Sequence, residues 1–247
     1  MRSRSYVTLL VAVGVALAAP YAAAQASTDS WQFSAAPYLW ASGMDGKMKI
    51  GDLEQDFDIS FGNIIENLDI AFMGHFDMRN ERWVLASDLI FVDLSSDQDL
   101  ENGTATGGID MTLFEVVGGY RVSPAVALLA GGRWVDVGAS LGYSGEIVDE
   151  GDSASKSWID PLVGVHVFKP LSDRWWIGVR GDIGGFGVGS ELAWQAYADI
   201  GWKASDLVSI VLGYHALDID SENDDRGAPL ELDLMISGPQ LGVVFSF

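Results

Sequence analysis

"LAWQAYADIGW", residues 192–202, places Leu192, Trp194, Ala196, Ala198, Ile200 and Trp202 at every second position, with Gln195, Tyr197, Asp199 and Gly201 between them. A helix repeats its apolar residues at three and four positions, whereas a strand alternates them across two faces. The stretch is a strand with one apolar face. "LDIAFMGHFDM" likewise sets Leu68, Ile70, Phe72, Phe76 and Met78 against Asp69, His75 and Asp77. "IDPLVGVHV" sets Ile159, Val163, Val165 and Val167 against Asp160 and His166, and "WWIGVRGDI" sets Trp175, Ile177, Val179 and Ile183 against Arg180 and Asp182. "LVSIVLGYHAL" opposes Val208, Ile210, Leu212 and Tyr214 to Ser209, Gly213 and His215.

An all-strand pattern suits either a soluble sandwich or a membrane barrel. The barrel wears its apolar face outside, gathers aromatics at the two interfaces and keeps its polar face in the lumen. Trp31, Trp83, Tyr120, Trp158, Trp175, Trp194 and Trp202 stand near segment ends, where amphipathic rings collect at a bilayer boundary. The faces opposite the apolar stripes carry Asp, Arg and His. The pattern favours the barrel.

Composition agrees. Hydrophobic residues make up 49% of the 247, which excludes a disordered chain despite the acidic balance. After residue 26 no apolar run reaches the ~18 residues of a transmembrane helix. The sign of the charge excludes a basic nucleic-acid footprint. There is no cysteine, so no disulfide framework supports an exported fold.

Ten segments have about the 9–11 residues that cross a bilayer as tilted strands: 31–42, 68–79, 82–94, 108–121, 125–139, 157–169, 174–185, 192–203, 206–218 and 231–247. Short polar turns ("RNER", "VSP", "KPLSD", "KASD") alternate with longer connections at 43–67, 95–107, 140–156 and 219–230, and with a shorter link at 186–191. In outer-membrane barrels the short turns are periplasmic. Arg79, Arg82, Arg121, Lys169, Arg174 and Lys203 lie at these turns, and the acidic runs 52–58, 97–101, 149–152 and 218–225 lie in the long connections. The expected fold is a closed antiparallel barrel of ten strands, within a range of eight to twelve. Residues 47–59 would supply a further hairpin, and "FGNIIENL" (61–68) reads as a short helical turn that caps or plugs the barrel.

Residues 1–26 read as a secretory leader. Arg2 and Arg4 precede a short apolar run from Val7 to Ala19, and Ala24 and Ala26 flank Gln25 before a cut at Ser27. Removing the two arginines from the 14 basic residues leaves 12 against 35 acidic ones, a net charge of −23 on residues 27–247. At the other end, "QLGVVFSF" (240–247) stops on Val243, Phe245 and Phe247 with no polar tail. A free apolar terminus frays unless it is tied down. Pairing of this last strand with "WQFSAAPYLW" (31–40) would close the barrel.

Gln240, Gly242, Phe245 and Phe247 match the polar-x-Gly-x-x-aromatic-x-aromatic signal that ends outer-membrane barrels. "APYLWASGMDG", "FGNIIENLDIAFMGHFDMRNERW", "LIFVDLS", "WIDPLVG" and "LSDRWWIGVRGDIGGFGVGSELAWQ" resemble a group of Gram-negative outer-membrane β-barrel proteins, the opacity-like or OmpW/OmpA-like barrels. That resemblance implies the fold, the cell outer membrane, and recognition by the barrel assembly machinery. It implies no catalytic residues, because the group has no settled activity.

The lumen-facing register collects Asp69, His75, Asp77, Asp88, Glu115, Arg133, Asp160, His166, Arg180, Asp182, Asp199 and His215. Buried charges must pair, so these side chains either fill a narrow barrel as a network or line a small cation-preferring pore. "GGFGVG" (184–189) precedes a strand rather than a helix, so it is a tight connection and not a dinucleotide loop. No nucleophile stands convincingly within reach of a histidine, so no enzyme is expected. "DIDSENDDRGAP" (218–229) has Asn223 and Pro229 where a calcium loop needs Gly and Glu. No metal site or cofactor is expected. The expected partners are outer-membrane lipid and lipopolysaccharide, with small cations as a further possibility at the lumen or the acidic loops. The functional expectation is a structural or surface-interaction barrel with acidic extracellular loops, and the alternative is a small passive pore.

Overall fold

The computed structural model describes residues 30–50, 53–100, 103–145, 149–221 and 230–247. The leader expected at 1–26 and the acidic positions 222–225 lie outside the described residues. The described chain runs β1 (Gln32–Trp40), β2 (Gly43–Ile50), β3 (Leu53–Ile59), α1 (Phe61–Glu66), β4 (Leu68–Arg79), β5 (Trp83–Leu100), β6 (Gly103–Ser123), β7 (Val126–Gly145), β8 (Asp149–Pro170), β9 (Trp175–Gly185), β10 (Leu192–Lys203), β11 (Val208–Ser221) and β12 (Leu230–Ser246).

From β4 to β12 each strand pairs antiparallel with the next in sequence. β1 closes the ring, pairing β4 on one side and β12 on the other. β2 continues along β12 in the register that β1 began: Trp40 faces Gln240 and Gly43 faces Ser237. The two therefore act as one wall strand, and the wall has ten positions. β3 folds back onto β2 at the loop end, so the described residues of 47–59 do pair as a hairpin, but outside the ring.

One register line can be followed around the wall. It runs Ser34, Asp77, Ala86, Val117, Gly131, Leu162, Gly184, Ala193, Ile219, Leu234 and Gly46. It returns to the first wall strand at Gly46 after leaving it at Ser34, a stagger of 12 residues. Ten strands with that stagger tilt by roughly 40° and enclose little more than their own side chains.

The outer face is apolar over about ten residues of each strand, enough to span hydrocarbon at that tilt. On β8 the belt runs Val167, Val165, Val163, Pro161 and Ile159, and Trp83 and Tyr120 meet edge-on at the turn end. Beyond the belt the sequence expectation needs correcting. The described residues of 95–107 and 140–156, expected as connections, are continuations of β5–β6 and β7–β8. Outside the membrane neither face needs to be uniformly apolar, so the period fades while the hydrogen-bond ladder continues. Helix α1 forms as expected. The Ser60 hydroxyl accepts from the Asn63 N–H at its start, and Ile64 is buried among the lumen side chains at the loop end.

Val163 is 49% exposed at the middle of the belt. Val163→Arg is expected to cost about 2–4 kcal/mol in denaturant titrations of the protein refolded into lipid vesicles. Ser155→Arg, also exposed but beyond the belt, should shift the midpoint little.

Candidate functional site in the barrel lumen

The interior has three levels. At the loop end it is apolar: Trp40, Met111, Val135, Val137, Leu217 and Ile236 belong to one buried cluster. A lumen polar along its whole length, as the alternation implied, is therefore not what forms. The inversion is written in "FVDL" and "WVDV". Phe91 and Trp134 face outward, and the next outward positions are Asp93 and Asp136, while Val92, Leu94, Val135 and Val137 turn inward. Where a strand leaves the lipid, outward polarity costs nothing and the inner side can become an ordinary core.

Below the apolar level lies a layer of buried charge. Arg133 donates from Nη2 to Glu115 Oε2 at 2.7 Å and to Asp182 Oδ1 at 2.9 Å. Arg180 Nη2 lies 2.5 Å from Glu115 Oε1 and 2.9 Å from Asp182 Oδ2. These four side chains are between 0% and 6% exposed. Two guanidinium groups face two carboxylates, so the layer is neutral, as burial requires. Gln195 bridges it by donating from Nε2 to Glu115 at 3.1 Å and Asp182 at 2.9 Å. Its Oε1 accepts from His215 Nε2 at 3.1 Å, and the His215 ring stacks on Trp40 at 4.1 Å. His215 thus joins the ionic layer to the apolar one.

Asp160 is buried but stands apart from the arginines. It accepts from the Ser190 N–H and hydroxyl, both at 2.7 Å, and from the Trp158 indole at 3.1 Å. It anchors the tight link 186–191, where Gly185 and Gly187 have φ values of 85° and 70°. A Cβ at Gly189 would lie 2.6 Å from Asp160 Oδ1. Trp158, expected at the lipid interface, instead points inward.

The third level is a blind cavity of about 650 Å³, lined by residues of the turn-end half of the barrel. His75, Asp77, Asp88, His166 and Asp199 line it. Asp88 accepts from the Tyr38 hydroxyl at 2.7 Å and lies 3.1 Å from His75 Nδ1. The Ser34 hydroxyl donates to Asp77, and Gln240 Nε2 donates to Asp199 at 2.6 Å. At the mouth Lys203 pairs with Asp206 at 2.9 Å, which holds the Asp206 carboxyl below its usual range. Asp69 does not belong to this set. It is exposed at the β-bulge between Leu68 and Ile70, and Leu68 takes the inward place. Tyr38, Gln195 and Ser190 were missed by sequence reasoning, although Gln195 lies on the polar face of the stretch quoted first.

The C-terminal residues close the wall. Phe33 and Phe247 exchange two backbone hydrogen bonds of 3.0 Å, and their rings stack at 6.2 Å. Gly242 pairs with Tyr38, and Phe245 pairs with Ala35.

Among solved structures, the outer-membrane protease OmpT from Escherichia coli is similar over 91% of this chain and 99% of its own, with a TM-score of 0.57 at 6% identity. The fold is that of an outer-membrane β-barrel. The translocator domain of the autotransporter NalP from Neisseria meningitidis aligns over 88% of this chain and 89% of its own, with a TM-score of 0.44 at 12% identity. Ail, the attachment invasion locus protein of Yersinia pestis, aligns over 89% of this chain and 99% of its own, with a TM-score of 0.38 at 11% identity. No protein-family model and no curated protein sequence matches the chain.

Arg133→Met should leave two buried carboxylates sharing Arg180, one negative charge uncompensated, and cost about 3–5 kcal/mol. Replacing the layer together, as Arg133→Met, Arg180→Met, Glu115→Gln and Asp182→Asn, should recover much of that loss in the same denaturant titration. A single variant as stable as the parent would show that the layer is hydrated.

Proposed function

We propose that the protein is a sealed outer-membrane barrel with a structural or surface-interaction role, presenting acidic hairpins to the medium. The observation that carries this reading is the closed lumen. The Glu115–Arg133–Arg180–Asp182 layer lies under a continuous apolar core. Above the turn-end cavity a void of about 20 Å³ lies beside this layer, about the space of one water. Hydrated ions need a wider path, so the lumen acids act here as structural partners of arginine rather than as a selectivity ring.

The loop end supports a surface role. Asp93 and Asp110 face each other across β5–β6 outside the lipid belt, and Asp220 faces Asp233 across β11–β12. Like charges directly opposite destabilise a sheet, so solvent and counter-ions at this rim must screen them. Lipopolysaccharide phosphates bridged by divalent cations fit that requirement, and with the barrel assembly machinery they are the partners we assign. The reading as a non-enzyme rests on the histidines: His75 is hydrogen-bonded to Asp88 and His215 to Gln195, with no hydroxyl on either imidazole among the described residues.

The refolded protein is expected to be electrically silent in a planar bilayer under a salt gradient. A variant combining Trp40→Ala, Glu115→Ala and Arg133→Ala should open discrete steps. Stable, cation-selective steps from the parent protein would replace this reading with that of a pore.

A further inference from the structure

The turn-end cavity is not needed to seal the barrel, and its chemistry is unbalanced. Asp77, Asp88 and Asp199 line it with His75, His166 and Arg79; His75 lies 3.1 Å from Asp88, and the Arg79 guanidinium sits 5.3 Å over the Phe168 ring. Arg180 also reaches the cavity but is already matched within the neutral ionic layer. At the mouth Lys203 and Arg174 are offset by Asp206 and Asp173. Among the described residues neither Asp77 nor Asp199 forms a salt bridge to Lys or Arg. Asp77 keeps Oδ1, and Asp199 keeps Oδ2, without a protein donor. A half-buried carboxylate oxygen with no donor is expensive unless a ligand or water supplies one.

A second feature points the same way. Trp176 lines the cavity with its indole laid against Gly201, where a Cβ would come within 2.0 Å of the ring. The glycine makes room for the indole, which with Phe168 and Tyr197 gives the chamber an aromatic wall beside its carboxylates. Asp77 on β4 and Asp199 on β10 stand on nearly opposite walls, six strand steps apart one way and four the other.

We propose that this cavity binds a linear α,ω-diamine entering from the turn end. One ammonium is held by Asp77, the other by Asp199, and the alkyl spine lies against Trp176. Primary ammonium groups are required because the second oxygen of each carboxylate needs a hydrogen-bond donor as well as a counter-charge, and a quaternary ammonium supplies only the charge. The volume lies within the usual range for small-molecule sites. The closed layer above makes this a binding chamber rather than a transport path.

The test is calorimetric titration of the refolded protein in non-ionic detergent with 1,5-diaminopentane, pentylamine and glutarate. The diamine should bind one saturable site at least tenfold tighter than pentylamine and should shift the tryptophan emission, and glutarate should not bind. Asp77→Asn and Asp199→Asn should each weaken the diamine at least tenfold with unchanged denaturation midpoints, while Asp93→Asn, outside the barrel, should leave binding unchanged. Three outcomes would overturn the proposal: no saturable heat, equal affinity for the mono- and diamine, or binding that survives the Asp77→Asn/Asp199→Asn double variant. The last would assign the amines to the acidic rim.

Discussion

Everything in this molecule depends on closing ten strands with a stagger of 12 residues. In hydrocarbon no backbone N–H or C=O can be left unpaired, so the sheet must return to its first strand. The strand number and stagger at which it returns set the radius. At this radius opposing lumen side chains touch. A wider ring could have kept a water-filled channel; this one packs its loop-end core and ionic layer and keeps a cavity in its turn-end half. The exchange of hydrogen bonds between Phe33 and Phe247 completes the ring and explains why the chain can end on an aromatic stripe: the terminus is a paired strand, not a tail.

Packing a lumen with charge succeeds when the charges cancel and nearly every donor finds an acceptor; here Arg180 Nε is left without one among the described residues. Glu115, Arg133, Arg180 and Asp182 come from three wall strands, β6, β7 and β9, the last supplying two of them, and Gln195 from β10 binds both carboxylates. Each arginine touches both acids, so no single contact defines the layer. Such a cross-linked set sits well at a boundary between an apolar core and a hydrated chamber. Its upper side needs no solvent, and its lower side can exchange some field with water in the cavity. Isolated ions at the same depth would have neither compensation.

The wall was legible in the sequence because lipid imposes one rule on every strand for the same ten-residue stretch. Ile159, Val163 and Val165 cannot be polar without penalty, so period two survives there undisturbed. The lumen was legible only in part. Sequence placed Glu115, Arg133, Arg180 and Asp182 on the inner face, but their partners depend on which strands the closure brings across from one another. Asp160 shows the difficulty. Its alternation is that of its neighbours, yet a glycine-rich turn lying against it supplies two donors from Ser190, Trp158 adds a third, and together they take it out of the arginine layer. Asp69 fell to a bulge, which shifts the register by one and reverses inside and outside. The extended hairpins escaped notice because beyond the membrane no solvent rule distinguishes a strand from a loop. The change of sign at Asp93 and Asp136 was nevertheless readable: acids on the lipid-facing register mark where the lipid stops.

That inversion also accounts for the asymmetry of the interior. At the loop end the outer surface is wet, so the barrel can be built inside-in, with valine and leucine buried as in a soluble sheet. Within the bilayer the outer surface must be apolar, and the strands' polar residues have only the lumen left to occupy. Crossing from one regime to the other, the inner face must pass from apolar through paired charge to solvated charge. The order of core, ionic layer and cavity is the sequence of environments that a narrow barrel imposes when one end stands clear of the membrane and the other finishes at its surface. A lumen sealed at only one end is then a consequence of strand length, and the open end is where unpaired carboxylates such as Asp77 and Asp199 can survive.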